Sequence, residues 1–425
     1  MITDNINKKI EELYESTPDY VGVGFGFKLI NKEYTEEHAV IFTVEKKRPI
    51  EEIPKDELLP DEIEIDGVTY KTDVVEIGKI ELLSCSNTVL TTCYDWSQPF
   101  NYEGVIYGLN IPPGNRGYIR PLKGGISSIS QNVAGASLAS KGTLGFIAVD
   151  NVKNALVGVT NNHVVVGNAF YTALRNASPV NEYQDTVWQP SPGETNPPNP
   201  SPTYVIGEVV RYVPIHANAY NQVDGAIITI ASSSISNTES FKQYGIAYNT
   251  PMPFATTAEI DSLLETNPPI YSSGRTSGVK FGGLCGLRIF SITQIIAVSG
   301  YKLDGTTPPV TFNRVIGFTR TSAQCPFPIV GGDSGSALLA SFNGVYKIIG
   351  IVFAGDNAYF GFANRIDDVA SQLNISAWDG TTKNYFNTGS RQFRTTPGGS
   401  YNNTLNCNNN IYSQVGTISN TNPCN

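Results

Sequence analysis

Pro326-Phe327-Pro328-Ile329-Val330-Gly331 runs into Gly332-Asp333-Ser334-Gly335-Ser336, and that into the apolar stretch Ala337-Leu338-Leu339-Ala340. The first six residues read as a turn and the last four as a strand, so the serine sits where a tight turn hands over to a sheet. A serine between glycines can be held there with its hydroxyl exposed, while the backbone N–H groups before and at the serine point to one spot. Such a pair of donors can hold a developing oxyanion. A Gly-Asp-Ser-Gly match arises by chance on the order of once in a hundred chains of this length, which leaves a plain glycine-rich turn as the bland alternative.

On both sides of this turn, residues 135 to 365 carry runs of four to ten apolar and β-branched residues: GFIAVD, ALVGVT, YVIGEVVRYV, AIITI, RVIGFTR and VYKIIGIVFA. Gly, Asn, Pro and Ser separate them, and many short strands at even spacing predict a sandwich or barrels. The loop at 189–202 holds six prolines and is expected at the surface. Ile366, Val369 and Leu373 are spaced to bury one face of a short helix. The 425-residue chain is too long for one ordinary domain.

Charge divides the chain as well. Residues 1–82 hold 20 of the 38 acids but 10 of the 29 bases, a local net of −10 within a total of −9. Ile6, Ile10, Leu13 and Tyr14 predict an amphipathic helix there, followed by strand-like runs at 20–29, 38–45 and 69–77. The expected organisation is an acidic α+β module at 1–82, a connecting segment with little regular structure at 83–134, a catalytic domain at 135–376, and an Asn-, Thr- and Gly-rich tail at 377–425.

The acidic balance, with a pI near 5.0, supplies no basic surface for nucleic acid. No stretch approaches the roughly 20 apolar residues of a membrane span, and residues 1–16 lack a signal-peptide pattern, so the cytoplasm is the default expectation. Self-association into a homo-oligomer is compatible with the sequence. Cys85, Cys93, Cys285, Cys325, Cys407 and Cys424 form no Cys-x-x-Cys pair; whether Cys285 joins Cys325, or Cys407 joins Cys424, stays open. The three histidines lack zinc-type spacing, so no metal or other cofactor is expected.

A serine hydroxyl is a poor nucleophile near neutrality and needs a base, usually a histidine oriented by a buried carboxylate. His163, in Val159-Thr160-Asn161-Asn162-His163-Val164-Val165, lies where an apolar strand ends in a polar turn. His38 sits inside an alternating strand and His216 in a loop without supporting pattern. Asp224 immediately precedes the apolar Ala226-Ile227-Ile228, where an acid is costly to bury unless paired. Accepting the ring N–H of His163 would supply that pairing.

The order His163, Asp224, Ser334 in these contexts resembles the chymotrypsin-like serine peptidases, whose triad runs in that order across two β-barrels. Ser272-Ser273-Gly274-Arg275-Thr276-Ser277-Gly278 looks like the segment opening the second barrel in bacterial members, and Ile349 to Gly355 like the strand that receives substrate. Segments 21–28, 72–76 and 120–125, with Gly142-Thr143-Leu144-Gly145 and Phe362-Ala363-Asn364, look closest to bacterial trypsin-like proteins related to the plant narrow-leaf protease. The resemblance covers roughly residues 18–376. It implies a mainly β fold, a chymotrypsin-like double β-barrel with the small N-terminal module and Asn-rich tail added. Ser334 would be nucleophile, His163 general base, Asp224 the orienting carboxylate, and the N–H groups of Gly332 and Ser334 the oxyanion hole. Phe353, Ala354 and Gly355 would pair with the substrate backbone.

Two departures stand out. Pro328 occupies the position where an acid selects Lys or Arg, so an apolar or small side chain is expected beside the scissile bond. Asp333, which a freed N-terminus holds in animal members, has no evident partner. The expected function is a serine endopeptidase acting on a protein or peptide, a particular one or its own chain. The alternatives are a silent structural or binding protein on the same fold, and a non-peptide hydrolase such as an esterase.

Overall fold

The short apolar runs form a mainly β molecule. The structure, a computed structural model, describes residues 4–17, 20–30, 33–55, 57–82, 100–102, 105–107, 114–130, 141–166, 181–182, 186–191, 202–217, 219–246, 248–280, 286–300, 309–320, 329–356 and 359–385. Pro328, the six cysteines, most of the proline-rich loop and the tail beyond residue 385 lie outside the described residues. Among those described, no helix is long and apolar enough to cross a membrane.

Helix α1 (Asp4–Ser16) opens the chain, with Ile6 and Ile10 buried, followed by β1 (Gly22–Ile30), β2 (Glu33–Val44), β3 (Glu62–Ile65), β4 (Val68–Glu76) and β5 (Glu81–Leu82). The middle supplies β6 (Ile126–Ser130), β7 (Gly142–Leu144), β8 (Phe146–Asp150), β9 (Ala155–Thr160), the single-turn helix α2 (Asn162–Val165), β10 (Thr186–Trp188), β11 (Val205–Tyr212) and β12 (Ala226–Thr229). The last part supplies α3 (Thr257–Asp261), α4 (Leu263–Thr266), β13 (Ile270–Gly274), β14 (Gly278–Lys280), β15 (Leu287–Val298), β16 (Val310–Arg320), β17 (Ala337–Phe342), β18 (Val345–Gly355), β19 (Phe360–Arg365), α5 (Ile366–Leu373) and β20 (Ile375–Ala377).

One sheet runs β20-β8-β9-β12-β11-β10-β6-β7. Its strands β7 and β8 are separated only by Gly145, so the sheet curls back on itself through one bent segment. Leu144, Ile147, Leu156, Ile206, Val209 and Ile228 fill its interior. In the second sheet, β13, β17, β18, β19, β16 and β15 follow in order, and Ile270 of β13 pairs with Leu287 of β15. That pairing closes six strands into a barrel.

Residues 1–82 do not stand apart from this barrel. Strand β1 pairs antiparallel with β15, in the register Gly22↔Ile296, Phe25↔Ile292 and Gly26↔Ser291, and β2, β4 and β3 continue outward as a wing. The glycines of Gly22-Val23-Gly24-Phe25-Gly26 make this approach feasible: a Cβ at Gly22 or Gly26 would collide with the carbonyl oxygen of Ile295 or Phe290. Strand β6 lies within the stretch expected to lack regular structure. Its sequence Ile-Ser-Ser-Ile-Ser shows no alternation, yet all five residues are buried, and Ser127 Oγ meets Ser191 Oγ at 2.8 Å.

Candidate active site

The end of β9, the start of β12 and the turn before β17 converge between the two curled sheets. Strand β9 ends at Thr160, and the one-turn helix α2 begins after Asn161, placing His163 on its first turn. His163 Nδ1 and Asp224 Oδ2 lie 2.6 Å apart, and the backbone N–H of His163 donates to Asp224 Oδ1 at 3.1 Å. Asp224 has no solvent exposure and His163 has 4%. A carboxylate so buried is stable only when paired and hydrogen-bonded, and the histidine meets both oxygens.

Asparagines that the sequence reading passed over fix this pair. Asn161 Nδ2 donates to the Asp224 carbonyl at 2.5 Å, and Asn162 Nδ2 to the Val213 carbonyl at 2.6 Å. Asn364, at the end of β19, accepts the Asp224 N–H at 3.1 Å and donates to the Gln222 carbonyl at 3.0 Å. Next in chain, the buried Arg365 grips Asp367 through Nε and Nη2 at 3.0 and 2.8 Å and Asp261 through Nη1 at 2.8 Å. Burial alone would raise the Asp367 carboxyl, but the guanidinium beside it holds it below the usual carboxylate range. The acidic side of the site is thus tied to the barrel through a buried ionic anchor.

The serine turn carries positive φ at Gly332 (97°) and Gly335 (93°), values that glycine alone adopts freely. Space is closed there too, since a Cβ would strike Thr276 Oγ1 at Gly332 or the Thr143 carbonyl at Gly335. Among the described residues the N–H groups of Gly332 and Ser334 donate to no protein acceptor, whereas their neighbours do: Asp333 to Val330, Gly335 to Val352 and Ser336 to Asp333. Ser334 is fully buried, and its Oγ donates to the Phe353 carbonyl at 3.2 Å.

Asp333 has partners after all, and they are backbone amides. Its Oδ1 accepts from Thr276 and Ser277 at 2.8 and 2.9 Å, and its Oδ2 from Val330 at 3.1 Å. The segment Ser272 to Gly278 therefore clamps the serine turn through this carboxylate. Only a backbone path was needed, which residue types alone do not reveal.

Thr143 joins the two halves. Its N–H donates to the Ser334 carbonyl (2.8 Å) and its Oγ1 to the Gly332 carbonyl (2.9 Å), while its own carbonyl accepts from Thr160 Oγ1 (2.7 Å). Gly142 lies between Val164, the neighbour of His163, and the Ser334 carbonyl, so close that a Cβ would clash with the valine. His163 and Asp224 are thus in contact, Thr143 and Gly142 lie between their side of the site and the turn of Gly332 and Ser334, and Phe353 is beside the serine. His38 instead packs against Phe25 and Phe27 on the wing, and His216 donates its N–H to Asn221. Among the described residues no group of three or more His, Cys, Asp or Glu is placed to hold a metal ion.

No protein-family model and no curated protein matches the sequence. Among solved structures, Thermobifida fusca protease A aligns at 14% identity and a TM-score of 0.36, covering 61% of this chain and 98% of its own. Cellulomonas bogoriensis chymotrypsin aligns at 13% identity and 0.34, with coverages of 61% and 98%. A Nocardiopsis protease aligns at 14% and 0.33, covering 60% and 98%. All three are proteases by name; at such scores they assign no residue here.

Proposed function

We propose that the protein is a serine endopeptidase that cleaves peptide bonds through an acyl-enzyme. The observation that carries the reading is the buried 2.6 Å contact of His163 with Asp224, set across Thr143 from the serine turn. The reading requires the Ser334 side chain to leave the Phe353 carbonyl, which it meets at 3.2 Å, and to engage the imidazole. His163 takes the hydroxyl proton as Ser334 attacks the scissile carbonyl, then returns it to the leaving amine, and Asp224 fixes the tautomer and stabilises the imidazolium. The N–H groups of Gly332 and Ser334 receive the oxyanion, and their lack of protein acceptors among the described residues suits that task. Phe353, Ala354 and Gly355 form the strand edge with which the substrate backbone would pair.

The two curled sheets with the site between them fit the double-barrel architecture of chymotrypsin-like enzymes. Segments 21–28, 72–76 and 120–125 favour, within it, a relationship to bacterial trypsin-like proteins related to the plant narrow-leaf protease. Asp333 is held by amides of its own barrel, so the serine turn is formed without a freed N-terminus. The test is labelling with a small alkyl fluorophosphonate, followed by mass spectrometry of the labelled peptide. Modification of Ser334 that disappears in Ser334→Ala and falls about ten-thousand-fold in His163→Ala is the expected result. Folded wild-type protein that resists the probe would instead favour a silent binding protein on this fold.

A further inference from the structure

One edge of β18 is read in succession by three different parts of the chain. Strand β17 pairs with it as far as Ala337↔Ile351. The serine turn takes over, with Val352 N–H donating to the Ser336 carbonyl (3.0 Å), Gly335 N–H to the Val352 carbonyl (2.9 Å), and Ser334 Oγ to the Phe353 carbonyl (3.2 Å). The next two residues, Ala354 and Gly355, pair antiparallel with Leu82 and Glu81 of β5. The edge that the proposed function gives to substrate is therefore filled by the protein's own N-terminal region.

The direction of β5 is informative. Glu81 faces Gly355 and Leu82 faces Ala354, so β5 runs towards Phe353 and the serine, the sense in which an acyl donor must approach the nucleophile. Its side chains alternate as a bound peptide's would. Leu82 is buried in a cluster with Phe353, Ala354, Phe312, Val298 and Ile80, whereas Glu81 is partly exposed and pairs with Lys79 at 2.9 Å. The segment is held on its other side as well: Leu82 N–H donates to the Ser299 carbonyl (3.1 Å), and Ser299 N–H to the Ile80 carbonyl (2.9 Å).

Resting on the assignment of Ser334 as nucleophile, we propose that Glu81–Leu82 is an intramolecular occupant of the peptide-binding edge. It blocks substrate in this conformation, and its leucine marks a pocket that selects extended peptides with an aliphatic residue at that place. A peptide then binds only to the fraction of molecules whose β5 has left the edge, so its apparent affinity falls by that fraction.

Two probes test this on the full chain: a small alkyl fluorophosphonate, which needs the serine site alone, and a peptidyl diphenyl phosphonate with leucine at the Leu82 place, which also needs the edge. The rate with the second is divided by the rate with the first for each variant. Leu82→Asp expels β5 from its apolar seat and is expected to raise the ratio about tenfold or more, with Leu82→Ala giving a smaller rise. A folded Leu82→Ala, judged by near-ultraviolet circular dichroism, keeps the test open where the aspartate variant does not fold. A ratio unchanged in the folded variants overturns the blocking role. On Leu82→Ala, the leucine probe should outpace the same probe carrying aspartate there, and equal rates overturn the selectivity. Failure of the small probe on every variant would instead strike the assignment of Ser334.

Discussion

The barrel of β13 to β19 and the sheet of β6 to β12 differ in how they end. The longest strand of the latter, β11, has 8 residues, whereas β15 and β16 have 12 and 11. Strand β15 is long enough to close the barrel at Leu287 and still offer Ser291 to Ile296 to β1. The wing thus docks on the barrel that carries the serine turn and the β18 edge, while the sheet that carries His163 and Asp224 is shut by its own bend. The N-terminal region accordingly touches the β18 edge, and a control exerted through it, if the proposed function holds, would act on substrate entry and not on the His163–Asp224 pair.

Three substitutions sharpen that contrast. Asp224→Asn acts on the His163 side only; on the proposed function it should keep the fold by far-ultraviolet circular dichroism yet slow fluorophosphonate labelling of Ser334 by about ten-thousand-fold, because the amide favours the wrong imidazole tautomer. A rate near wild type would place the orienting carboxylate elsewhere. Gly26→Ala acts on the wing only. The methyl group meets the Phe290 carbonyl, and urea unfolding should show a loss of about 1–3 kcal/mol, as overpacking typically costs. Undiminished stability would mean that β1 sits farther from β15. The smallest effect belongs to Glu239→Gln. Hydrogen bonds from Lys123 and Lys242 hold the Glu239 carboxyl at about 2, below its ordinary 4.5. A depressed value means that its contribution is full above 4.5 and disappears as the pH falls through about 2. The variant should therefore lose stability slightly less steeply over that acid interval, an effect kept small by solvent screening. An acid unfolding curve identical in slope would discount the two lysines.

Much of this was legible from residue types. Gly332 to Ser336, His163 and Asp224 each sit at the junction of an apolar run and a polar turn, where composition changes within a few residues; the structure pairs His163 with Asp224 and joins the serine turn to β9 through Thr143. The runs at 155–160, 226–229 and 345–355 became strands because they are short, apolar and rich in β-branched residues, the composition that a buried sheet takes. Other features left no such trace. Strand β5 has two residues, too few for a period, and its meaning comes from the register against β18. Strand β6 hides among serines, one of which, Ser127, meets a hydroxyl distant in sequence, that of Ser191. The anchors of Asp333 are peptide N–H groups, which every residue but proline carries, and the roles of Thr143, Asn161 and Asn364 depend on carbonyls that no side-chain alphabet encodes.

The order of synthesis gives β5 a further consequence. Leu82 precedes Ser334 by about 250 residues, which at 5–20 residues per second is roughly 13–50 s of translation. Every nascent chain therefore contains β5 well before Ser334 and the β18 edge with which β5 pairs have been made. The β18 edge thus never emerges from the ribosome on a chain that lacks the segment with which it pairs.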